Sequence, residues 1–210
     1  DWSSTCALPI YFGTAPLPLL VHVHGLVFTS WMILFGIQTA LVAANNVRLH
    51  RQLGIAGAVV AGLMVVLGTT TAIWSAAQGR APPGAPPLSF LAIPLFDMVT
   101  FPLVVGAGFY YRRRPDVHKR LMLLATIGLS GAAVARIPLA IMKYGPPAFF
   151  GLTDLFLVPC IAFDIATRRR IHPVTLWVGL ALIASQVLRV AISNSPLWLN
   201  FAAWLTSFVP

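Results

Sequence analysis

The 210 residues are 58% hydrophobic and 9% charged, with a formal net charge of +9. A soluble domain of this length leaves a large shell facing water and cannot hide so much apolar side chain. The charge does not point to nucleic acid, because ten of the fourteen Lys and Arg residues crowd into three short turns. No basic surface interleaved with aromatic platforms, the kind that grips a nucleic-acid strand, is present in the pattern.

The apolar residues come in blocks of about 20, the length that crosses roughly 30 Å of hydrocarbon at 1.5 Å per residue. Six spans are expected: Leu17–Ala44, Gly54–Ala77, Leu91–Tyr111, His118–Tyr144, Gly151–Thr167 and Val174–Ser193. The fold class is therefore all-α, one integral membrane bundle of three helical hairpins over residues 1–210. The turns after spans one, three and five hold Arg48 and Arg51, then Arg112–Arg114 with Lys119 and Arg120, then Arg168–Arg170. By the positive-inside rule these turns face the cytoplasm, and both termini face outside. The opposite turns, RAPPGAPPLS (80–89) and YGPPAFF (144–150), are rich in proline, which stops one helix and stiffens entry to the next. The tail 194–210 carries Trp198, Trp204 and Phe208 and reads as an interfacial segment with aromatic anchors. Cys6 and Cys160 fall in distant segments, so no disulfide is expected.

Polar residues fall into two layers along these spans. His50, His118 and His172 start spans two, four and six at the inner face, with Asp116 and Asp164 near them as solvated partners of the arginines. Arg136 lies about 27 Å further along a continuous helix from His118, near the outer face. Arg189, Asp97, Asp154, His22 and His24 belong to the same outer layer. A charge inside a span is costly in lipid, so Asp97, Arg136, Asp154 and Arg189 should face the interior and pair. They serve either as Asp–Arg pairs that hold hairpins together or as a polar pocket for a small ligand. His22 and His24 are about 200° apart on a helix, which makes His24 the inward one and His22 interfacial. A faint repeat runs through the hairpins: Asp97, His118 and Arg136 in the second echo Asp154, His172 and Arg189 in the third.

Histidines level on facing helices are the donor set of haem b, provided that small residues let a porphyrin approach. Gly54, Gly57, Ala58, Ala61 and Gly62 form one such stripe; Ala125, Gly128, Ala132 and Ala135 form another. The same stripes serve close helix packing, and spacing alone leaves both readings open. A zinc or iron site from the three inner histidines is a further reading. There is no nucleotide-binding glycine loop, no HExxH, no Ser–His–Asp order and no glutamate anywhere.

The runs HVHGLVFTSWMILFGIQTALVA (22–43), LHRQLG (49–54) and HKRLMLLAT (118–126) resemble a group of bacterial inner-membrane proteins of unknown function. That resemblance covers most of the chain and implies the six-helix form and an inner-membrane location. More distantly, the HG pair with a downstream Trp and the LHR that opens the next helix resemble the cytochrome b561 type of transmembrane haem protein. The b561 pattern sets a histidine pair at each face, whereas here His24 has no evident outer partner. Three functions are carried forward. One is haem or metal binding for electron transport, with His50 and His118 as first ligands and His172 and His24 behind them. Another is an accessory subunit packed against other subunits of a respiratory or photosynthetic complex. The last is a small transporter using the outer polar pocket.

Overall fold

The structure, a computed structural model, describes residues 18–82, 84–137 and 139–209. Cys6, at one end of the expected non-pair of cysteines, lies outside these residues. All regular elements among the described residues are helical. Five helical stretches are long and apolar enough to cross a membrane: Leu19–Ala43, Val47–Ala77, Pro87–Tyr110, Pro146–Arg168 and Pro173–Ile192. The chain divides into two compact units, one within Pro16–Thr71 and the other within Ala72–Pro210.

The smaller unit holds α1 (Leu19–Ala43) and most of α2 (Val47–Ala77). Asn45 and Asn46 build the turn. Asn45 takes the left-handed conformation that asparagine tolerates after a helix, with φ 57°. Asn46 Oδ1 accepts from the backbone N–H of Leu49 at 3.2 Å and so caps α2. This cap starts α2 at Val47, seven residues before the expected Gly54, and puts Arg48, His50 and Arg51 inside the helix. The two helices run antiparallel, in a register read from two glycines. A Cβ at Gly57 would meet Leu34 Cδ2 at 3.5 Å, and one at Gly54 would meet Gln38 Nε2 at 4.0 Å. The expected stripe divides: Gly57 and Ala61 are buried, whereas Ala58 and Gly62 are exposed.

The larger unit is built on α4 (Ala92–Tyr110), α5 (Pro115–Leu129) and α9 (Pro173–Ile192), which pack on one another. Burial follows the helical period. On α4 it picks out Asp97, Phe101, Val105 and Gly108. On α9 it picks out Thr175, Gly179, Leu182, Gln186 and Arg189. The contacts are close. A Cβ at Gly108 would stand 2.7 Å from Met122 Sδ, and one at Gly128 would stand 3.2 Å from Leu182 Cδ2. Leu182 thus occupies the space that Gly128 leaves, and joins Leu124, Ile127 and Leu157 in a buried cluster.

The expected fourth span, His118–Tyr144, is not one helix. The segment runs as α5, then the short α6 (Gly131–Val134), then a 3-10 turn (Ala140–Tyr144). Ser130 turns its hydroxyl back onto the Ile127 carbonyl at 2.7 Å, a bond that competes with the helical ladder. In sequence, Pro138 stands four residues after Val134 and lacks the amide proton that a continuing helix would use. The next stretch divides as well, into α7 (Pro146–Asp154) and α8 (Leu157–Arg168). Pro159 has no N–H for the Leu155 carbonyl and its ring crowds it, which accounts for the break at 155–156. A short α3 (Pro87–Phe90) precedes α4, and α10 (Pro196–Thr206) packs against it. Trp198 of α10 donates its indole N–H to Leu88 O at 2.9 Å, above a cluster of Ala76, Leu91, Ala92 and Ala202.

Candidate functional site

Two ionic clusters lie inside the larger unit, at opposite ends of α9. The first gathers at the end that carries the basic turns. Asp164 of α8 is 1% exposed and receives four donors. Arg120 of α5 donates to its Oδ1 through Nε and Nη2. Thr175 Oγ1 donates to its Oδ2 at 2.6 Å, and the backbone N–H of His172 does so at 3.1 Å. A carboxylate so served is a stable anion even when buried. One residue therefore ties α5, α8 and α9 together. The expectation that Asp164 is a solvated ion partner is overturned: a lone acid between Phe163 and Ile165 has to be answered from another helix. Arg120, counted among the topology charges, is 7% exposed and supplies that answer.

His172 caps α9. The backbone N–H of Val174 donates to its Nδ1 at 3.1 Å, so the ring proton sits on Nε2, which faces Asp116 Oδ2 at 3.4 Å. The ring thus spends both nitrogens on the protein. The hydrogen bond from His172 holds the Asp116 carboxyl below the usual carboxylate range.

His118 differs. Its Nδ1 lies 2.8 Å from the carbonyl oxygen of Gly108, which only an N–H can satisfy. A proton on Nδ1 is what a backbone carbonyl commonly fixes in a metal-binding histidine. His24 and His50 are half-buried residues of the smaller unit, and His24 stacks on Phe28 with ring centroids 4.1 Å apart. His22 is exposed. Among the described residues, no group of three or more His, Cys or Asp side chains is arranged to hold a metal ion.

The second cluster lies toward the other end of α9. Arg189 is 2% exposed and donates to Asp97 Oδ1 on α4. It also donates to Ile93 O at 3.2 Å and to Ser185 Oγ at 2.7 Å. The Phe96 and Phe150 rings flank its guanidinium at 5.7 and 5.4 Å, a cation–π arrangement. One turn earlier, Gln186 Nε2 donates to Asp154 Oδ1 at 2.9 Å. Arg136 stands apart. It is exposed, and its guanidinium returns to Ala132 O of its own segment. The four expected pocket residues are thus distributed: Asp97 with Arg189, Asp154 with Gln186, and Arg136 with its own backbone. Gln186, Ser185 and Thr175 drew no notice in the sequence, although each falls on the buried period of α9 or beside it.

Compared with known proteins, the chain matches no family model, no curated protein and no solved structure. The helices themselves define the class, a helical multi-pass membrane protein in which buried ion pairs join helices distant in sequence.

Proposed function

We propose that the protein is an accessory subunit of a larger membrane complex, without chemistry of its own, which docks partner helices through α1. The carrying observation is how little of α1 its own unit covers: of its 25 residues, Trp31 alone is buried. Gly25 and Gly36 are exposed with nothing within 4 Å of where a Cβ would be, and Thr29 and Ala40 follow four residues after each. Small residues four apart are what close helix–helix approach in lipid uses. The ionic groups support the same reading, since Asp97, Arg189, Arg120 and Asp164 are engaged in joining helices. The chain crosses six times in this reading, with the broken segment 118–144 supplying the sixth passage. Without that passage the arginines at 168–170 would fall on the opposite side from those at 112–114, against the positive-inside rule. The basic turns then face the cytoplasm of a bacterial inner membrane and both termini face outside. The test is a photo-crosslinking residue at position 36, activated in native membranes. A protein adduct of defined mass that Gly25→Leu abolishes is the expected result; adducts to lipid alone refute the proposal.

A second reading keeps haem b or a metal ion for electron transport, and rests on the tautomer of His118. Its check is an absorption spectrum of the purified protein, in which a Soret band must appear and must shift or vanish in His118→Ala.

A further inference from the structure

We propose that the basic end of the larger unit is a binding site for anionic phospholipid headgroups. Residues 112–114 and 168–170 are two arginine triplets, 56 positions apart in sequence, and all six are exposed. Three contacts bring their flanks together. Asp116, two residues after the first triplet, accepts from His172, two residues after the second. Arg120 bonds Asp164, four residues before the second triplet. The Lys119 ammonium lies over the Phe163 ring at 5.2 Å. The ion-paired cluster therefore acts as a clasp that gathers the two triplets and Lys119 into one patch.

The charge balance of that patch is strongly positive. Of the two carboxylates near it, Asp164 is buried beneath Arg120 and Asp116 is engaged by His172. Six arginines offer planar forks suited to a phosphate's oxygens, and they are less strongly hydrated than ammonium groups. Depth selects a lipid over other anions. The triplet at 112–114 directly follows the exposed Tyr110 and Tyr111, amphipathic rings that favour the headgroup level. Arg168 ends the apolar helix Leu157–Arg168, and Arg169 and Arg170 directly follow it. Basic pockets between helix ends at this level take acidic lipid headgroups. Orientation during insertion needs only a count of cations on one side; their convergence through the Asp116–His172 and Arg120–Asp164 links is the added feature. This inference does not depend on the α1 partner or on His118.

The test is native mass spectrometry of the full chain in neutral detergent, offered equal amounts of dioleoyl-phosphatidylglycerol and dioleoyl-phosphatidylcholine. Phosphatidylglycerol adducts should dominate, and their excess should fall as salt rises, because exposed charges are screened. Arg113→Gln with Arg169→Gln should cut phosphatidylglycerol retention by about fivefold for each cation removed. Arg80→Gln with Lys143→Gln, which remove cations elsewhere on the unit, should leave it unchanged. Equal retention of the two lipids by the wild type, or equal loss in both double variants, overturns the proposal. Inorganic phosphate that displaces the lipid at comparable concentration would assign the patch to a free anion and also overturn it. The salt series uses the unaltered chain, so the proposal stands or falls even if a variant does not fold.

Discussion

Arg189 of α9 bonds Asp97 of α4, a residue 92 positions earlier, with Phe96 and Phe150 flanking its guanidinium. This pair joins an acid of the second expected hairpin to an arginine of the third. A buried pair is weak evidence of net stabilisation, but breaking it leaves one charge stranded. Arg189→Met should therefore destabilise by roughly 3–5 kcal/mol, and adding Asp97→Leu should recover much of the loss. Thermal or denaturant unfolding in detergent of both singles and the double gives the coupling directly. Additive losses would show that the two side chains act independently.

Thr175 offers a finer probe of the other cluster, because Thr175→Val keeps the shape and removes one donor from Asp164. Loss of a hydrogen bond to a buried carboxylate should cost about 1.5–3 kcal/mol. The same change combined with Arg120→Met and Asp164→Leu should cost little further, since no anion then needs the hydroxyl. Unfolding midpoints of the variants decide this.

The link between Asp116 and His172 predicts an acid-side pH dependence. Asp116 has its carboxyl lowered in the folded state, so its stabilising contribution is complete above the ordinary carboxylate value, near 4. It fades as pH falls through the lowered folded value. The stability difference between wild type and Asp116→Asn should be constant from neutral pH to about 5, then shrink to nothing in stronger acid. Unfolding midpoints across this range measure it; a difference that grows with acidity would reverse the assigned sign.

Packing at Gly128 can be tested by size exchange. A methyl group there would crowd Leu182 Cδ2 at 3.2 Å. Gly128→Val should destabilise by about 1–3 kcal/mol through overpacking, and Leu182→Ala in the same chain should relieve part of that cost. A porphyrin-binding groove at this position would instead show both changes in the absorption spectrum and neither in the unfolding midpoint.

Trp198 tests how α10 is held. Trp198→Phe keeps an aromatic ring against Leu91 and Ala92 but leaves the Leu88 carbonyl without its donor. The expected loss is about 1 kcal/mol, accompanied by faster proteolysis between Ser193 and Ser195 than in the wild type. Unchanged proteolysis would mean that apolar contact alone holds the helix.

Composition and spacing were enough for the class. The apolar runs of about 20 residues became helices, and the first, third and sixth expected spans have observed counterparts within a few residues of the expected ends. The fourth and fifth were harder. Hydropathy averages over a window, whereas helix continuity is decided by single groups such as the Ser130 hydroxyl and the Pro159 ring. The start of α2 was missed for a related reason, because the side chain of Asn46 closes a cap that a hydropathy average does not register.

The polar residues show the division most clearly. The sequence by itself required that Asp97, Asp154, Arg189 and the other charges within apolar runs find partners, because lipid offers none. It did not say which partners. Only the tertiary structure paired Asp97 with Arg189, gave Asp154 to Gln186, returned Arg136 to its own backbone and moved Arg120 from a solvated turn to the Asp164 cluster. The physical reason is that partner choice depends on helix rotation and on where a helix breaks. Both are set by contacts such as Gly128 with Leu182, which unite residues far apart in the chain and leave no periodic mark in it.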